Sequence, residues 1–139
     1  MTTSTAQAAG FDHWLASINA ICGRFQAQAD GPDFRGSITA FQSGTLKYSQ
    51  VMASRGRLFR RNADLQDDHS HHYFMVFQLA GKATLQQGQH SSTLGAGDIS
   101  LIDSQQPCQI EFGEQSQQIS LILPCTTLQR NLRTSQLPP

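Results

Sequence analysis

Residues 72–103, HYFMVFQLAGKATLQQGQHSSTLGAGDISLID, decide the fold of this chain. Short runs rich in β-branched, aromatic and polar side chains alternate here with glycine turns at Gly81, Gly88 and 95–97. This pattern predicts four strands connected by tight turns, over residues 72–80, 83–87, 90–94 and 98–103. Because no helical period interrupts these runs, the strands are expected to pair antiparallel rather than form a parallel sheet with crossover helices.

The sequence on both sides of this stretch continues the pattern. Further strands are predicted over residues 35–42, 45–53, 57–61, 108–112 and 118–123. Short strands at a spacing of roughly 8–12 residues indicate an antiparallel sandwich or barrel. The chain is therefore predicted to be mainly β.

Helices are predicted only near the two ends. Apolar side chains recur at steps of three and four between Phe11 and Phe25, which predicts an amphipathic helix with Asp12 as its N-cap. Residues 1–10 are expected to be a flexible N-terminus, because they are small or polar and show no period. A short closing helix is predicted from Thr127 to about Arg133.

Composition limits the function classes. A chain of 139 residues suits one domain, so residues 11–139 are assigned to a single unit. Ten Lys and Arg balance ten Asp and Glu, which argues against nucleic-acid binding by this segment. No apolar run is long enough to span a membrane. The three cysteines are an odd number at unrelated spacings, so reduced thiols in a cytoplasmic protein are expected.

Several motifs resemble a known family. Gly95-Ala96-Gly97-Asp98 resembles the second conserved motif of cupin barrels, and together with Phe77-Gln78-Leu79-Ala80-Gly81 it resembles the arm domain of AraC-type transcriptional regulators. The likeness is strongest to the branch that activates phenylethylamine and tyramine catabolism. It is carried there by Phe11, Trp14, Leu15, Ile18, Asn19, Ile21, Cys22, Gly23, Phe25, residues 76–79, 95–99 and 107–108, and residues 118–121 before Leu123-Pro124.

The resemblance implies a cupin-like antiparallel β-barrel of the sandwich or jelly-roll type that senses a small molecule and forms a homodimer. The implied effector is an aromatic amine or the derived aldehyde. DNA would be contacted through a C-terminal domain with two helix-turn-helix units, and the 139 residues contain no such second half. A truncated regulator and a stand-alone remnant both remain open.

Candidate ligand contacts follow from the strand predicted over 72–80. Tyr73, Met75 and Phe77 share one face of this strand, and the other face is also rich in apolar residues. Such a strand is expected to face the lumen on one side and the first helix on the other, with the choice depending on register. Plain core packing is the alternative. The candidates are Tyr73, Met75 and Phe77 for a ring, Lys47, Arg57 or Tyr73 as donors to an aldehyde, Asp103 or Glu111 as acceptors for an amine, and Cys108 on the barrel wall.

A histidine-rich segment, Asp67-Asp68-His69-Ser70-His71-His72, raises the question of a metal site. In the motif frame of metal-binding cupins, Phe74 falls at the position of the Glu ligand and Cys108 at that of the last His. No metal or other cofactor is therefore expected, and a solvated turn is the preferred interpretation. The candidates for a partial site are Asp67, His69 and His71.

No arrangement typical of an enzyme is present in the sequence. Neither Ser nor Cys lies in a G-x-S-x-G nucleophile elbow. No carboxylate has a His or Lys partner at a sequence spacing typical of an acid–base pair. The prediction is therefore a regulatory domain without catalysis. The alternative is a small metal-dependent cupin enzyme, an oxygenase or an isomerase.

Overall fold

Strand pairing divides the chain into two antiparallel sheets. The computed structural model describes the backbone of residues 2–7 and all of residues 10–65 and 71–124. The elements in chain order are β1 (Thr2–Gln7), α1 (Phe11–Cys22), β2 (Gln26–Ala29), β3 (Arg35–Ser43), β4 (Leu46–Ser54), β5 (Gly56–Arg60), α2 (Asn62–Leu65), β6 (His72–Ala80), β7 (Ala83–Gln87), β8 (His90–Leu94), β9 (Ile99–Asp103), β10 (Cys108–Phe112) and β11 (Ser116–Pro124).

The two sheets face each other as a sandwich. The six-stranded sheet has the order β1-β3-β4-β11-β6-β9, and the five-stranded sheet has the order β2-β5-β10-β7-β8. Their facing side chains form one apolar core, to which Val51, Phe74 and Val76 contribute from the six-stranded sheet and Leu58 and Ile110 from the five-stranded sheet. The described strands thus form a sandwich of two sheets rather than one closed barrel, which is the sandwich variant of the predicted fold.

Side-chain alternation along β6 defines the inner and outer faces of the six-stranded sheet. Phe74 and Val76 are almost fully buried between the sheets, whereas Tyr73, Met75 and Phe77 point to the outer face and are half-buried. Successive residues of a strand point to opposite faces, so the pairing register fixes this division for the whole sheet.

Helix α1 packs on the inner side of the sandwich. Trp14 and Ile18 are buried in the common core. The Trp14 indole lies over Gly36 of β3, where an added Cβ would be 2.7 Å from the ring. The Phe34 ring packs against the same indole at a tilt of 60°, with ring centroids 4.9 Å apart. The missing side chain of Gly36 is therefore what allows the helix to approach the sheet.

Most predicted elements are confirmed. Strands β3 to β11 correspond to the nine predicted strands, with ends that differ by at most two residues. The N-terminal helix is confirmed, but it ends at Cys22 and its N-cap is Gly10 without a side-chain cap, so the prediction of Asp12 is wrong. Strands β1 and β2 and the one-turn helix α2 were not predicted.

Three expectations have different outcomes. The two faces of β6 were predicted to meet the lumen and the first helix separately. This prediction is wrong, because α1 buries Trp14 and Ile18 in the same core as the inner face of β6 and does not cover the outer face. The flexibility of residues 1–10 concerns motion and stays a prediction, although Thr2–Gln7 pairs with β3. The predicted helix from Thr127 to Arg133 lies outside the described residues.

No helix in the described part of the chain is long and apolar enough to cross a membrane.

The close approach at Gly36 can be tested by substitution. Gly36→Ala is expected to lower the free energy of unfolding by about 1–3 kcal/mol, because the new methyl group overlaps the rings of Trp14 and Phe34. Gly95→Ala is the matched control, since its Cβ would meet only the Asp98 carboxylate at 3.8 Å. Urea denaturation of both variants measures the difference. Equal stability of the two variants would contradict this account of how α1 is seated.

Candidate ligand-binding site

A small cavity lies between the two sheets and α1. Its volume is about 30 Å³. The side chains around it come from both sheets and from the helix and its C-terminal turn. They are Ile18, Cys22, Phe25, Val51, Leu58, Phe74, Val76, Ile102, Ile110, Phe112, Gln118 and Ser120. The wall is therefore mostly apolar, with polar groups concentrated on β11.

A hydrogen-bonded polar group occupies the inner face of the six-stranded sheet beside this cavity. The Gln118 side-chain amide donates to Gln78 Oε1 at 2.9 Å. The Gln78 amide donates in turn to Ser116 Oγ at 2.9 Å and to the carbonyl oxygen of Ala80 at 2.8 Å. Gln78 and Gln118 are 1% and 3% exposed. These three hydrogen bonds offset part of the cost of removing the two side-chain amides from water.

Two further serines extend the polar inner face. Ser120, next along the inner face of β11, is buried and lines the cavity. Ser49 of β4 is fully buried, and its hydroxyl lies 3.9 Å from Cys22 Sγ. The polar strip, defined as Ser116, Gln118 and Ser120 of β11 with Gln78 and Ser49, thus crosses the mostly apolar inner face of the six-stranded sheet.

The thiols of the sandwich interior are poor nucleophiles. Burial raises the pKa of Cys22 to about 11, and the hydrogen bond to Ser49 opposes this rise only in part. Burial likewise raises the pKa of Cys108 to about 11 against the opposing effect of Arg60. Both are free cysteines and both are protonated at neutral pH. Since the thiolate is the reactive and metal-binding form, neither thiol is prepared for catalysis or metal ligation.

A buried cation lies on the facing sheet. Arg60 of β5 is 1% exposed, and its guanidinium carbon lies 5.3 Å from the centre of the Phe25 ring. Phe25 itself contributes to the cavity wall. A guanidinium at this distance over an aromatic face is attracted to the ring quadrupole. The cation thus supports one wall of the cavity from behind.

The cavity volume sets what this site can hold. One water needs about 10–15 Å³, whereas a cavity that binds benzene measures about 150 Å³. About 30 Å³ therefore accommodates two waters, and a phenyl ring needs repacking of the wall. The described lining contains no Asp, Glu, Lys or Arg, so its hydrogen-bonding groups are neutral.

The structure separates the residues predicted to contact a ligand. Tyr73, Met75 and Phe77 lie on the outer face of β6, while the adjacent residues Phe74 and Val76 line the cavity. The register turns the even-numbered face inward, so a ligand between the sheets would contact Phe74 and Val76 rather than the three predicted residues. Ligand contact by the three predicted residues stays a prediction, and it would put the ligand on the outer surface.

The other three predicted contacts lie apart from one another. Lys47 is exposed near the start of β4, beside a groove of about 260 Å³ between that strand and α1. Arg57 lies on the outer face of β5, where it donates to Gln28 Oε1 and packs on Phe59. Cys108 is buried on the inner face of β10. These three side chains form no common site.

The candidate metal ligands are described only in part. Asp67 and His69 lie outside the described residues. His71 is hydrogen-bonded to Asp103, with 3.1 Å between Nε2 and Oδ1. Within residues 10–65 and 71–124, no group of three or more His, Cys, Asp and Glu side chains is arranged to hold a metal ion.

Sequence reasoning missed the polar strip. Glutamine alternates with apolar residues around Gln118, and this alternation predicts a solvent-facing strand position there. The structure buries it, so that interpretation is wrong. The available signal was the inner-face set Phe74, Val76 and Gln78, in which a polar residue continues an apolar face.

A buried carboxylate outside the cavity connects β2 to the end of β5. Burial by itself would raise the pKa of Asp64, but hydrogen bonds from the Arg61 side chain, the Arg61 amide and Gln26 lower it to about 2. The donor distances are 3.2, 2.9 and 3.1 Å. The ionised form of Asp64 is thus favoured by the folded state.

Comparison with known proteins relates this geometry to a family. The profile of the AraC-binding-like domain matches residues 11–139. An uncharacterized protein in the nit 5' region of Bacillus sp. (strain OxB-1) is 26% identical over 130 residues, which cover 93% of this chain and 50% of that protein. The chain spans about half the length of this relative.

Solved structures show the same fold at low sequence identity. The AraC-like transcriptional activator CuxR superposes with a TM-score of 0.79 at 15% identity, over 95% of this chain and 50% of that one. A putative ethanolamine utilization protein Q from Salmonella typhimurium LT2 superposes with a TM-score of 0.54 at 10% identity, over 89% of this chain and 97% of that one.

The lowered pKa of Asp64 predicts acid sensitivity. Its folded-state pKa of about 2 lies below the unfolded value of about 3.9, so its contribution is complete above that value and is lost as the pH falls toward 2. Asp64→Asn is expected to lower the free energy of unfolding at pH 7 by about 1–2 kcal/mol and to flatten its pH dependence between about 4 and 2. Asp33→Asn, at a carboxylate that is 77% exposed, is the control. Parallel pH profiles for wild type and Asp64→Asn would refute this prediction.

Proposed function

Because this chain belongs to the AraC-binding-like domain family, we propose that it is the effector-sensing and dimerisation domain of an AraC-type transcriptional activator. The polar strip beside the cavity carries the proposal. A core whose only task is stability gains little from burying two glutamines and three serines, since each buried polar group must recover the cost of leaving water. A ligand site needs such groups, because a few fixed hydrogen-bonding side chains in an apolar wall give orientation and specificity.

The effector of this site is a neutral aromatic compound with a hydrogen-bonding group, and an aromatic aldehyde fits better than an amine. A carbonyl oxygen can accept from the Ser120 hydroxyl or the Gln118 amide. A protonated amine would be buried without a counter-charge, because the predicted acceptors Asp103 and Glu111 are both absent from the cavity wall. The apolar side chains Phe74, Val76 and Phe112 would contact the ring.

Binding of a ring requires the wall to repack, and this requirement supports a sensing role. A cavity of about 30 Å³ must enlarge before a phenyl group enters. Packed cores respond to added volume by shifts of side chains and strands rather than by continuous deformation. Occupancy of the site is therefore coupled to the positions of β6 and β11, whose inner residues form its wall.

Partners of the proposed regulator follow from family resemblance. A regulator of this kind would contact DNA through a helix-turn-helix domain outside these residues, and it would act as a homodimer. A metal-dependent cupin enzyme is the alternative function, with Asp67, His69 and His71 as its candidate ligands. Elemental analysis separates the two proposals, because the enzyme needs one bound metal ion per chain and the sensor needs none.

The ligand class can be tested by calorimetry. Titration with phenylacetaldehyde is expected to give saturable binding with a Kd between a few µM and about 1 mM. Phenylethylamine and tyramine are expected to bind more weakly at neutral pH, because their ammonium groups lose hydration without gaining a carboxylate. An aliphatic aldehyde of similar length is the control for non-specific reaction with lysines. Equal heats for all four compounds would remove the effector assignment.

The role of Ser120 can be tested with a matched pair of variants. Ser120→Ala removes one cavity donor and is expected to weaken phenylacetaldehyde binding by about tenfold, which corresponds to one neutral hydrogen bond. Its effect on ethylbenzene, which lacks the carbonyl, should be small. Ser37→Ala makes the same change on the outer face of β3, away from the cavity, and should leave both affinities unchanged. Identical losses for both ligands would indicate general disruption rather than carbonyl recognition.

A further inference from the structure

Strand β9 forms an edge of the six-stranded sheet. It pairs with β6 on one side, and in the described part of the chain no strand pairs with it on the other side. A groove of about 320 Å³ lies between β9 and the strands β7 and β8 of the facing sheet. The side of β9 away from β6 is therefore open to an additional strand.

Hydrogen bonds show which backbone groups of β9 face this free edge. The amide of Ser104, just after β9, donates to a β6 carbonyl oxygen at 3.0 Å, and the carbonyl oxygen of Asp98 accepts from a β6 amide at 2.9 Å. Residues that bond to a given neighbour alternate along an antiparallel strand. The even-numbered residues thus bond to β6, whereas Ile99, Leu101 and Asp103 direct their N–H and C=O groups outward.

The side chain of Gln87 already occupies one of these outward positions. Its amide oxygen accepts from the Asp103 backbone N–H at 3.0 Å, and its amide nitrogen donates to the Asp103 carbonyl oxygen at 2.9 Å. An amide that makes both bonds to one residue takes the place of a peptide group in a neighbouring strand. Within β9, Ile99 and Leu101 are thus the residues left to pair with a further strand.

Side chains also distinguish the β9 edge from other sheet edges. Ile99 and Leu101 are 57% and 46% exposed, more than any other large apolar side chain in the described part of the chain. By contrast, the exposed residues 90–93 of β8 are polar, and β2 contains only glutamine and alanine. Native edge strands often carry charged side chains that discourage pairing with another chain. The stretch from Ile99 to Leu101 carries no charge.

We propose that two copies of this chain pair through β9, antiparallel and with Ser100 on the two-fold axis. Leu101 exchanges both N–H···O bonds with Ile99 of the partner subunit, and the symmetric pair does the same. The two six-stranded sheets then join into one continuous sheet. This interface rests on the proposed function, in which the domain acts as a homodimer, and it assigns that homodimer a surface.

The register follows from backbone groups that are already engaged. A two-fold axis through Leu101 would pair Ile99 with Asp103 of the partner subunit, whose outward groups are held by the glutamine amide. An axis through Ile99 would pair Leu101 with Gly97 of the partner subunit, whose N–H donates to a β6 carbonyl oxygen. An axis at Ser100 avoids both conflicts and brings the apolar side chains of the two edges side by side.

The oligomeric state of the 139-residue chain tests the interface. Sedimentation equilibrium is expected to show a reversible dimer. Leu101→Lys is expected to raise the Kd of this dimer by about tenfold or more, because it places a charge in the apolar contact between the edges. Leu46→Lys is the matched control, since it makes the same change at a leucine that is 39% exposed at the start of β4, and it should leave the Kd unchanged.

A cysteine at the two-fold axis tests the register. Opposed Cβ atoms in a non-hydrogen-bonded antiparallel pair lie about 4.5 Å apart, which a disulfide can span. Mild oxidation of Ser100→Cys is therefore expected to give a covalent dimer on a non-reducing gel, well above the wild-type background from the native thiols. Ser92→Cys, on the exposed edge strand β8, is the control and should stay monomeric on the gel.

Each result decides the proposal. A dimer whose Kd is unchanged in Leu101→Lys would overturn this interface but leave the homodimer of the proposed function, whereas a wild-type chain that stays monomeric at high concentration would overturn both. Cross-linking of Ser92→Cys as complete as that of Ser100→Cys would also overturn the interface. If Leu101→Lys loses the strand signal in circular dichroism, Ser100→Cys decides alone, and the absence of a covalent dimer overturns the proposal.

Phenylacetaldehyde binding separates this interface from the effector site. Leu101→Lys is expected to become monomeric at the concentrations of the titration and to bind the aldehyde with wild-type affinity, because the β9 edge lies outside the cavity wall. Failure of the wild-type chain to bind the aldehyde would remove the effector assignment and leave the dimer measurements as they stand.

Discussion

Strand β6 is apolar on both of its faces, and this single constraint organises the sandwich. Phe74 and Val76 pack in the core against the five-stranded sheet and α1, while Met75 and Phe77 point to the opposite, outer face of the six-stranded sheet. The pairing register of β6 fixes which of its side chains face the core and which face outward, because a slip of one residue would exchange the inner and outer side chains. In the proposed sensor, a change in the inner wall would reach the opposite surface of the sheet through the backbone of β6.

The sequence was informative wherever local chemistry determines structure. Glycine turns with positive φ at Gly81, Gly88 and Gly97 delimit the central strands, so their ends could be predicted closely. Strand β1 has no apolar alternation and β2 has only four residues with alanine as its apolar side chain, and both are held by pairing with the edges of β3 and β5. Tertiary pairing of this kind leaves no signal in the segment itself.

The candidate site was harder to predict than the fold. Alternation divides β6 into two faces but does not say which one meets the other sheet, and the ring contacts predicted at Tyr73, Met75 and Phe77 lie on the outer face. The decisive signal was a polar one, since Gln78 and Gln118 interrupt the inner face and bond to each other across two strands. That pairing depends on the β6–β11 register, which is a long-range property of the fold.

The central claim is that a neutral aromatic ligand binds between the sheets against the polar strip. Intermolecular nuclear Overhauser effects between the ring protons of phenylacetaldehyde and the protein methyl groups test it most directly. The account predicts contacts to the inner-facing methyls of Val51, Val76 and Ile102, with a shift of the Gln118 side-chain amide. Contacts confined to outer-facing Met75 and Leu101, or no contacts at saturating ligand, would contradict it.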